Sequence, residues 1–294
     1  MNSLKLKKER KMKGLSIVEV LLVFILSYLF GWLFLTDLIR AEIAVLGWSY
    51  ISGALLIFIP SIILLLTKRD FEHYGFTLKE WRYNLSVGMN CYLIRLVPLS
   101  LLLLLLYFHV NYTGIVGGLI LAAGEIPAIF LLLLMLKRVS KEKKSAFIDS
   151  LILVFLLLLP ILVGFYLKRL TLNLVSTVIW QFIFSGFGEE IRYRGYYQSR
   201  INEEFGRPYS FLGVNFGIGL IISSLLFAVA HVLNPFNPFR GSLDLAWGWG
   251  VWTFFAGLFF GFVREKTGSI VAVGIAHGLP DAVGEAFAQL FSLM

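Results

Sequence analysis

The sequence is poor in cysteine, in histidine and in charged side chains. Its one cysteine, Cys91, excludes an intrachain disulfide and says nothing about the redox compartment. Charged residues make up 15% of the chain, against roughly 25% in a soluble domain. Internal repeats, low-complexity linkers and a His-Glu-x-x-His segment are all missing, so we expect one continuous membrane domain without the usual zinc-protease helix.

Long apolar runs dominate the rest, with 58% hydrophobic residues and a mean hydropathy of +0.82. Each run of about 20 residues can cross a hydrocarbon core about 30 Å thick as a helix, which satisfies its own backbone hydrogen bonds. The predicted fold class is therefore all-α, a polytopic transmembrane helical bundle with about eight or nine membrane helices. The predicted spans are 15–35, 43–66, 85–108, 115–136, 147–167, 172–188, 211–232, 246–263 and 270–291.

Lys and Arg residues are concentrated in alternate connections between these spans. With the N-terminus in the cytoplasm, the inside segments hold most of the 26 basic residues, and the pair Lys168 and Arg169 is the main exception. We therefore expect a multi-pass membrane protein with a cytoplasmic N-terminus. The net charge of +8 follows from this topology and from contact with anionic lipid, so we expect no nucleic-acid partner.

Ionisable side chains inside the spans indicate function or pairing, because an uncompensated charge in hydrocarbon costs about 2.5–3.5 kcal/mol. Arg95 and Glu125 both fall near the midplane, and we interpret them as a structural ion pair ahead of a substrate contact.

The densest charge cluster after any span is Gly-Phe-Gly-Glu-Glu-Ile-Arg-Tyr-Arg-Gly at 186–195. On a helix Glu190 and Arg194 are i,i+4 neighbours, and Glu189 lies three residues before Arg192, so each carboxylate has a nearby cation. Adjacent residues point about 100° apart, so one glutamate can face a cavity while Arg194 holds the other. The alternative is a solvated helix end with surface ion pairs.

Two of the four histidines lie in the following apolar stretches: His231 ends one span, and His277 precedes Asp281 by four residues in the last. A single histidine in an apolar helix is usually a packing residue. Two histidines, two glutamates and an aspartate in three consecutive apolar stretches indicate a shared site instead.

These residues resemble the three motifs of the CPBP intramembrane proteases, which are metal-independent glutamate proteases. That family includes CAAX prenyl endopeptidases of the Rce1 type and Abi-type bacteriocin-processing or self-immunity proteins. The resemblance divides the chain into N-terminal transmembrane helices without a motif, 1–171, and a catalytic helical core, 172–294. The motifs are Glu-Glu-x-x-x-Arg (Glu189, Glu190, Arg194), Phe-x-x-x-His (Phe227, His231) and His-x-x-x-Asn/Asp (His277, Asp281).

The resemblance implies an intramembrane endopeptidase acting on a membrane-associated peptide or protein, with or without a lipid group. A CAAX tail, a bacteriocin leader and a signalling peptide all fit. Glu189 would be the general base that activates water with His231, and His277 with Asp281 would stabilise the oxyanion. No metal or other cofactor is implied, and the partners are the substrate and the lipid bilayer.

Glu190 and Arg194 would be the supporting pair that orients the motif helix. Asp281 departs from the family pattern, since many relatives have Asn there and an ionised aspartate cannot donate to an oxyanion. It is either protonated or accepts from His277 and fixes its tautomer. Pro280 interrupts helix hydrogen bonding there, which puts the contact between His277 and Asp281 in question.

The predicted depth of His231 conflicts with that of the other motifs. In the span 211–232 it lies about 20 residues in, roughly 30 Å along an ideal helix, whereas Glu189 and His277 fall in the cytoplasmic half. Convergence requires that this span begin later than Phe211, after a re-entrant or interfacial stretch, or that the topology fail near Lys168.

Two other functions fit the same residues. One is a zinc-dependent intramembrane protease in which His231, His277 and a carboxylate hold the metal. The other is a non-catalytic membrane immunity or partner-binding protein whose polar cluster serves packing or recognition. A transporter is less expected, because no repeat or matched pair of broken helices is visible.

Overall fold

Each of the nine predicted spans corresponds to one helix of the computed structural model, which describes residues 14–139 and 146–291. A short antiparallel hairpin, β1 (Tyr209–Phe211) with β2 (Val214–Phe216), precedes the seventh helix. The predicted all-α class is confirmed. The helices are α1 (Leu15–Leu46), α2 (Tyr50–Leu66), α3 (Trp81–Tyr107), α4 (Ile115–Arg138), α5 (Phe147–Tyr166), α6 (172–205), α7 (Ile218–Val232), α8 (Trp247–Thr267) and α9 (Ile270–Leu290).

Five of the described helices, α1, α3, α4, α5 and α9, are long and apolar enough to span a membrane, and α2 and α7 are shorter apolar helices. They confirm an integral membrane protein. The basic residues at 5–13 and 141–144, on which the predicted orientation partly rests, lie outside the described residues. The cytoplasmic placement of the N-terminus therefore stays a prediction.

Three predicted boundaries are wrong. The first helix ends at Leu46 rather than at 35. The second helix begins at Tyr50 rather than at 43, because α1 continues to Leu46 and ends at Gly47, whose φ of 79° is left-handed. Ser49 then caps α2 by accepting a hydrogen bond from the Ser52 amide at 3.2 Å. The seventh helix begins at Ile218 rather than at 211, because the hairpin occupies the intervening residues.

The late start of α7 removes the conflict in depth. His231 becomes the fourteenth residue of the helix, about 20 Å from its start at about 1.5 Å per residue. The β hairpin occupies the residues between Phe211 and this later start.

The last helix, α9, lies at the centre of the bundle, where it packs against α3, α5, α6 and α8. In the apolar 18-residue segment of α9, 72% of the residues are buried, against 11% in the corresponding segments of α1 and α5, whose side chains face outward. His277 and Asp281 are thereby carried into the interior. Arg95 and Glu125 form the predicted buried ion pair between α3 and α4, and Trp252 donates to Glu125 at 2.9 Å.

Candidate active site

The glutamate motif lies on a helix that departs from α geometry. Within α6, Gln181–Glu189 and Ile191–Gln198 are π-helical, flanked by the α segments Leu172–Trp180 and Ser199–Phe205. A π turn bonds i to i+5 and so shifts the side chains relative to an α-helix. The expected pairing of Glu189 with Arg192 is not formed, whereas Glu190 and Arg194 do pair.

Glu190 is the buried centre of a charge network. Its Oε1 accepts hydrogen bonds from Arg194 Nη1 at 3.0 Å and from His277 Nδ1 at 2.8 Å. Arg194 also donates to the carbonyl of Gly257 at 3.0 Å, and its guanidinium lies 4.5 Å from the ring centroid of Phe227. Because Glu190 and Arg194 are both fully buried, a solvated helix end with surface ion pairs is wrong.

His277 joins the motifs of α6 and α9. Its Nε2 lies 3.4 Å from Asp281 Oδ2 and 3.8 Å from Glu189 Oε2, and its ring stacks on Phe260 at 4.4 Å. The helix α9 continues through Pro280, so the doubted contact between His277 and Asp281 is formed.

A close backbone approach between α6 and α9 makes these contacts possible. A Cβ added to Gly186 would lie 2.5 Å from the Cα of Gly278, and one added to Gly278 would lie 2.7 Å from the Phe182 carbonyl oxygen. Only glycine fits at such a crossing. The two glycines therefore set the distance at which Glu190 meets His277.

His231 is held by its own helix. Its Nδ1 lies 2.8 Å from the Phe227 carbonyl oxygen, which can only accept, so Nδ1 carries the proton and Nε2 can accept. The ring packs edge-on against Trp249, with centroids 5.1 Å apart.

Glu189 and His231 line the same two cavities. The α3 cavity, of about 210 Å³, also contains Arg95, His277 and Asp281 in its walls. The α1 cavity, of about 460 Å³, lies between α1, α2 and α6. The Oε2 atom of Glu189 is buried and has no hydrogen-bond partner among the described residues. A carboxylate oxygen of this kind is available to a bound water or substrate.

Two side-chain hydrogen bonds between α6 and α9 were not predicted from the sequence. Ser185 donates to Asp281 at 3.3 Å, and Gln181 donates to Glu285 at 2.5 Å. Glu285 lies four residues after Asp281 and is itself an ionisable residue in an apolar span, so the rule that identified the motif residues would have found it. Ser185 and Gln181 have no comparable signal in the sequence.

Among the described residues, no group of three or more His, Cys, Asp or Glu side chains is arranged to hold a metal ion. The structure therefore gives the zinc alternative no ligand set in the part of the chain that it describes. His231 instead bonds its own backbone, and His277 bonds carboxylates directly.

Comparison with known proteins agrees with the three motifs. Residues 171–283 match a family described as Type II CAAX prenyl endopeptidase Rce1-like. No curated protein and no solved structure matches the chain. The matched segment begins with α6 and includes Glu189, His231, His277 and Asp281.

Proposed function

We propose, from the Rce1-like segment at 171–283 and from the buried site within it, that this intramembrane endopeptidase hydrolyses peptide bonds with water activated by Glu189 and His231. The family match supports a membrane protease in general. The observation that carries the finer assignment is the position of Glu189. Its Oε2 atom has no hydrogen-bond partner among the described residues, and Glu189 lines two cavities that His231 also lines.

In this mechanism Glu189 accepts a proton from the attacking water and later passes it to the leaving amine. His231 accepts a hydrogen bond from the same water through Nε2, because its Nδ1 proton is committed to the Phe227 carbonyl. His277, when protonated, donates through Nε2 to the oxyanion that develops on the scissile carbonyl, because its Nδ1 proton is committed to Glu190. Glu190 and Arg194 hold the helix and the His277 ring in place.

Of the two roles left open for Asp281, the contacts favour orientation. Its Oδ2 faces His277 Nε2 at 3.4 Å and accepts from Ser185 at 3.3 Å, so the carboxylate acts as an acceptor. We propose that Asp281 orients the Nε2 proton of His277 until the developing oxyanion takes its place as the acceptor, and that Asp281 does not itself donate to the oxyanion.

The proposed substrate is a membrane-associated peptide or protein, because both cavities lie among helices that span the bilayer. A CAAX tail, a bacteriocin leader and a signalling peptide stay open. We also propose that the protein lies in a prokaryotic cell membrane with its N-terminus in the cytoplasm; the distribution of Lys and Arg between the spans supports this orientation.

The test is cleavage of a panel of quenched fluorescent peptides, prenylated and unprenylated, by protein purified in detergent and reconstituted in liposomes. We expect Glu189→Gln and His231→Ala to lose at least about 100-fold in rate, as is typical when a general base is removed. The matched control is Glu203→Gln on the same helix, because Glu203 bonds Tyr74 and lines neither cavity. Cleavage that persists in both site variants would overturn the assignment.

The same assay separates the alternatives. Activity that chelators abolish and zinc restores would establish a metalloprotease. A non-catalytic immunity or partner-binding role predicts that Glu189→Gln leaves biological function intact while the protein still accumulates in the membrane.

A further inference from the structure

One buried arginine beside the site, Arg192, forms no ion pair with a described residue. Arg192 is only 6% exposed, and its Nε and Nη2 atoms donate to no described acceptor. The groups around its guanidinium are the phenols of Tyr28, Tyr193 and Tyr197, which are neutral. A buried cation without a counterion is costly, so its retention calls for an anion that is not part of the described chain.

Arg192 lines the α1 cavity, as do Glu189 and His231. Arg192 follows Glu189 by three residues on α6, and both line this cavity together with Tyr28. Arg40, which is exposed, is the second arginine of this cavity. Glu189 is the one carboxylate among the described residues that line it.

The α3 cavity has the opposite character. Its wall contains the carboxylates of Glu189, Asp281 and Glu285, and its one arginine, Arg95, is already paired with Glu125. A peptide that places its scissile bond at Glu189 therefore meets unpaired positive charge on the α1 side and carboxylates on the α3 side. An anionic group of the substrate is favoured on the α1 side.

We propose that Arg192 is a specificity-determining residue that binds a carboxylate of the peptide substrate in the α1 cavity. The planar guanidinium matches a carboxylate in two parallel hydrogen bonds, and the low exposure of the site strengthens them. The carboxylate is either the C-terminus of the peptide or an acidic side chain near the scissile bond. The inference rests on the proposed function because it takes the ligand to be a peptide.

The test is binding, measured by fluorescence anisotropy with fluorescein-labelled peptides from the panel and protein in detergent. One peptide pair differs only in a C-terminal carboxylate or carboxamide. A second, amidated pair differs only in Glu or Gln near the scissile bond. We expect wild type to bind the carboxylate member of one pair about 10- to 100-fold more tightly, and the pair that responds identifies the source.

Arg192→Gln is expected to abolish that ratio, and Arg192→Lys to retain part of it. The ratio compares two ligands on one preparation, so a partly unfolded variant does not distort it. Arg40→Gln is the matched control, an arginine of the same cavity that is expected to keep the ratio. Equal binding of both members by wild type, absence of binding, or a ratio that survives Arg192→Gln would overturn the proposal.

The binding test of the Arg192 site and the cleavage test of the proposed function can fail independently. A carboxylate preference without hydrolysis of any peptide would refute the proposed function and leave the Arg192 site standing. Hydrolysis without a carboxylate preference would support the proposed function and refute the Arg192 site.

Discussion

Replacing Arg194 should destabilise the fold mainly because the buried charge of Glu190 loses its cationic partner, and less because side-chain volume is removed. Both side chains are fully buried and 3.0 Å apart. Breaking a buried pair by removing one member costs about 3–5 kcal/mol, and Glu190 would keep only its hydrogen bond from His277. We therefore expect Arg194→Met, which keeps most of the volume, to lower the free energy of unfolding by about that amount.

The double variant Glu190→Gln/Arg194→Met tests the reason. It leaves neither charge in the interior, so its loss should be smaller than the sum of the two single losses by about 2–3 kcal/mol, the upper range of coupling for residues in contact. The measurement is equilibrium unfolding in mixed detergent micelles, followed by tryptophan fluorescence.

The control is Arg240→Met, which breaks the pair of Arg240 with Asp37. These side chains are 41% and 78% exposed, so the loss should stay below about 1 kcal/mol. Single losses that add to the double loss within about 0.5 kcal/mol, or an Arg194→Met loss no larger than the control, would refute the view that Arg194 compensates a buried charge.

Two further predictions concern packing and pairing. Glu125→Gln leaves Arg95 buried without its ion-pair partner, and the free energy of unfolding should fall by about 3–5 kcal/mol; a loss below about 1 kcal/mol would contradict the structural role of the pair. Gly186→Ala places a Cβ 2.5 Å from the Cα of Gly278, so α6 and α9 must separate, with an expected cost of about 1–3 kcal/mol and slower peptide cleavage. Gly188→Ala places its Cβ no nearer than 3.3 Å to another heavy atom, Leu56 Cβ, and should cost less; equal losses at the two glycines would show that the crossing does not control the site.

The number and order of the helices were readable from the sequence because each helix in lipid must satisfy its own backbone hydrogen bonds. Length and apolarity then identify each span without reference to its neighbours. Boundaries were less secure where local chemistry intervened. The left-handed Gly47 separated α1 from α2, and the hairpin before Ile218 shortened α7.

The candidate site residues could also be identified in the sequence. Burying a charged side chain in an apolar segment costs free energy, so such residues are rare and usually functional. That rule identified Glu189, His231 and His277, and it would also have found Glu285. It gave the partner correctly where the pair is four residues apart on a helix, as with Glu190 and Arg194.

Contacts between helices were decided only by the tertiary structure. Periodicity predicts neighbours three or four residues apart, but the π turns of α6 separate Glu189 from Arg192, and the glycine crossing with α9 brings His277 to Glu190. The two cavities, with Glu189 in both walls, exist only because four helices pack around the one and five around the other. The sequence by itself determined which side chains are costly to bury, and helix packing determined which of them found partners and which, like Arg192, did not.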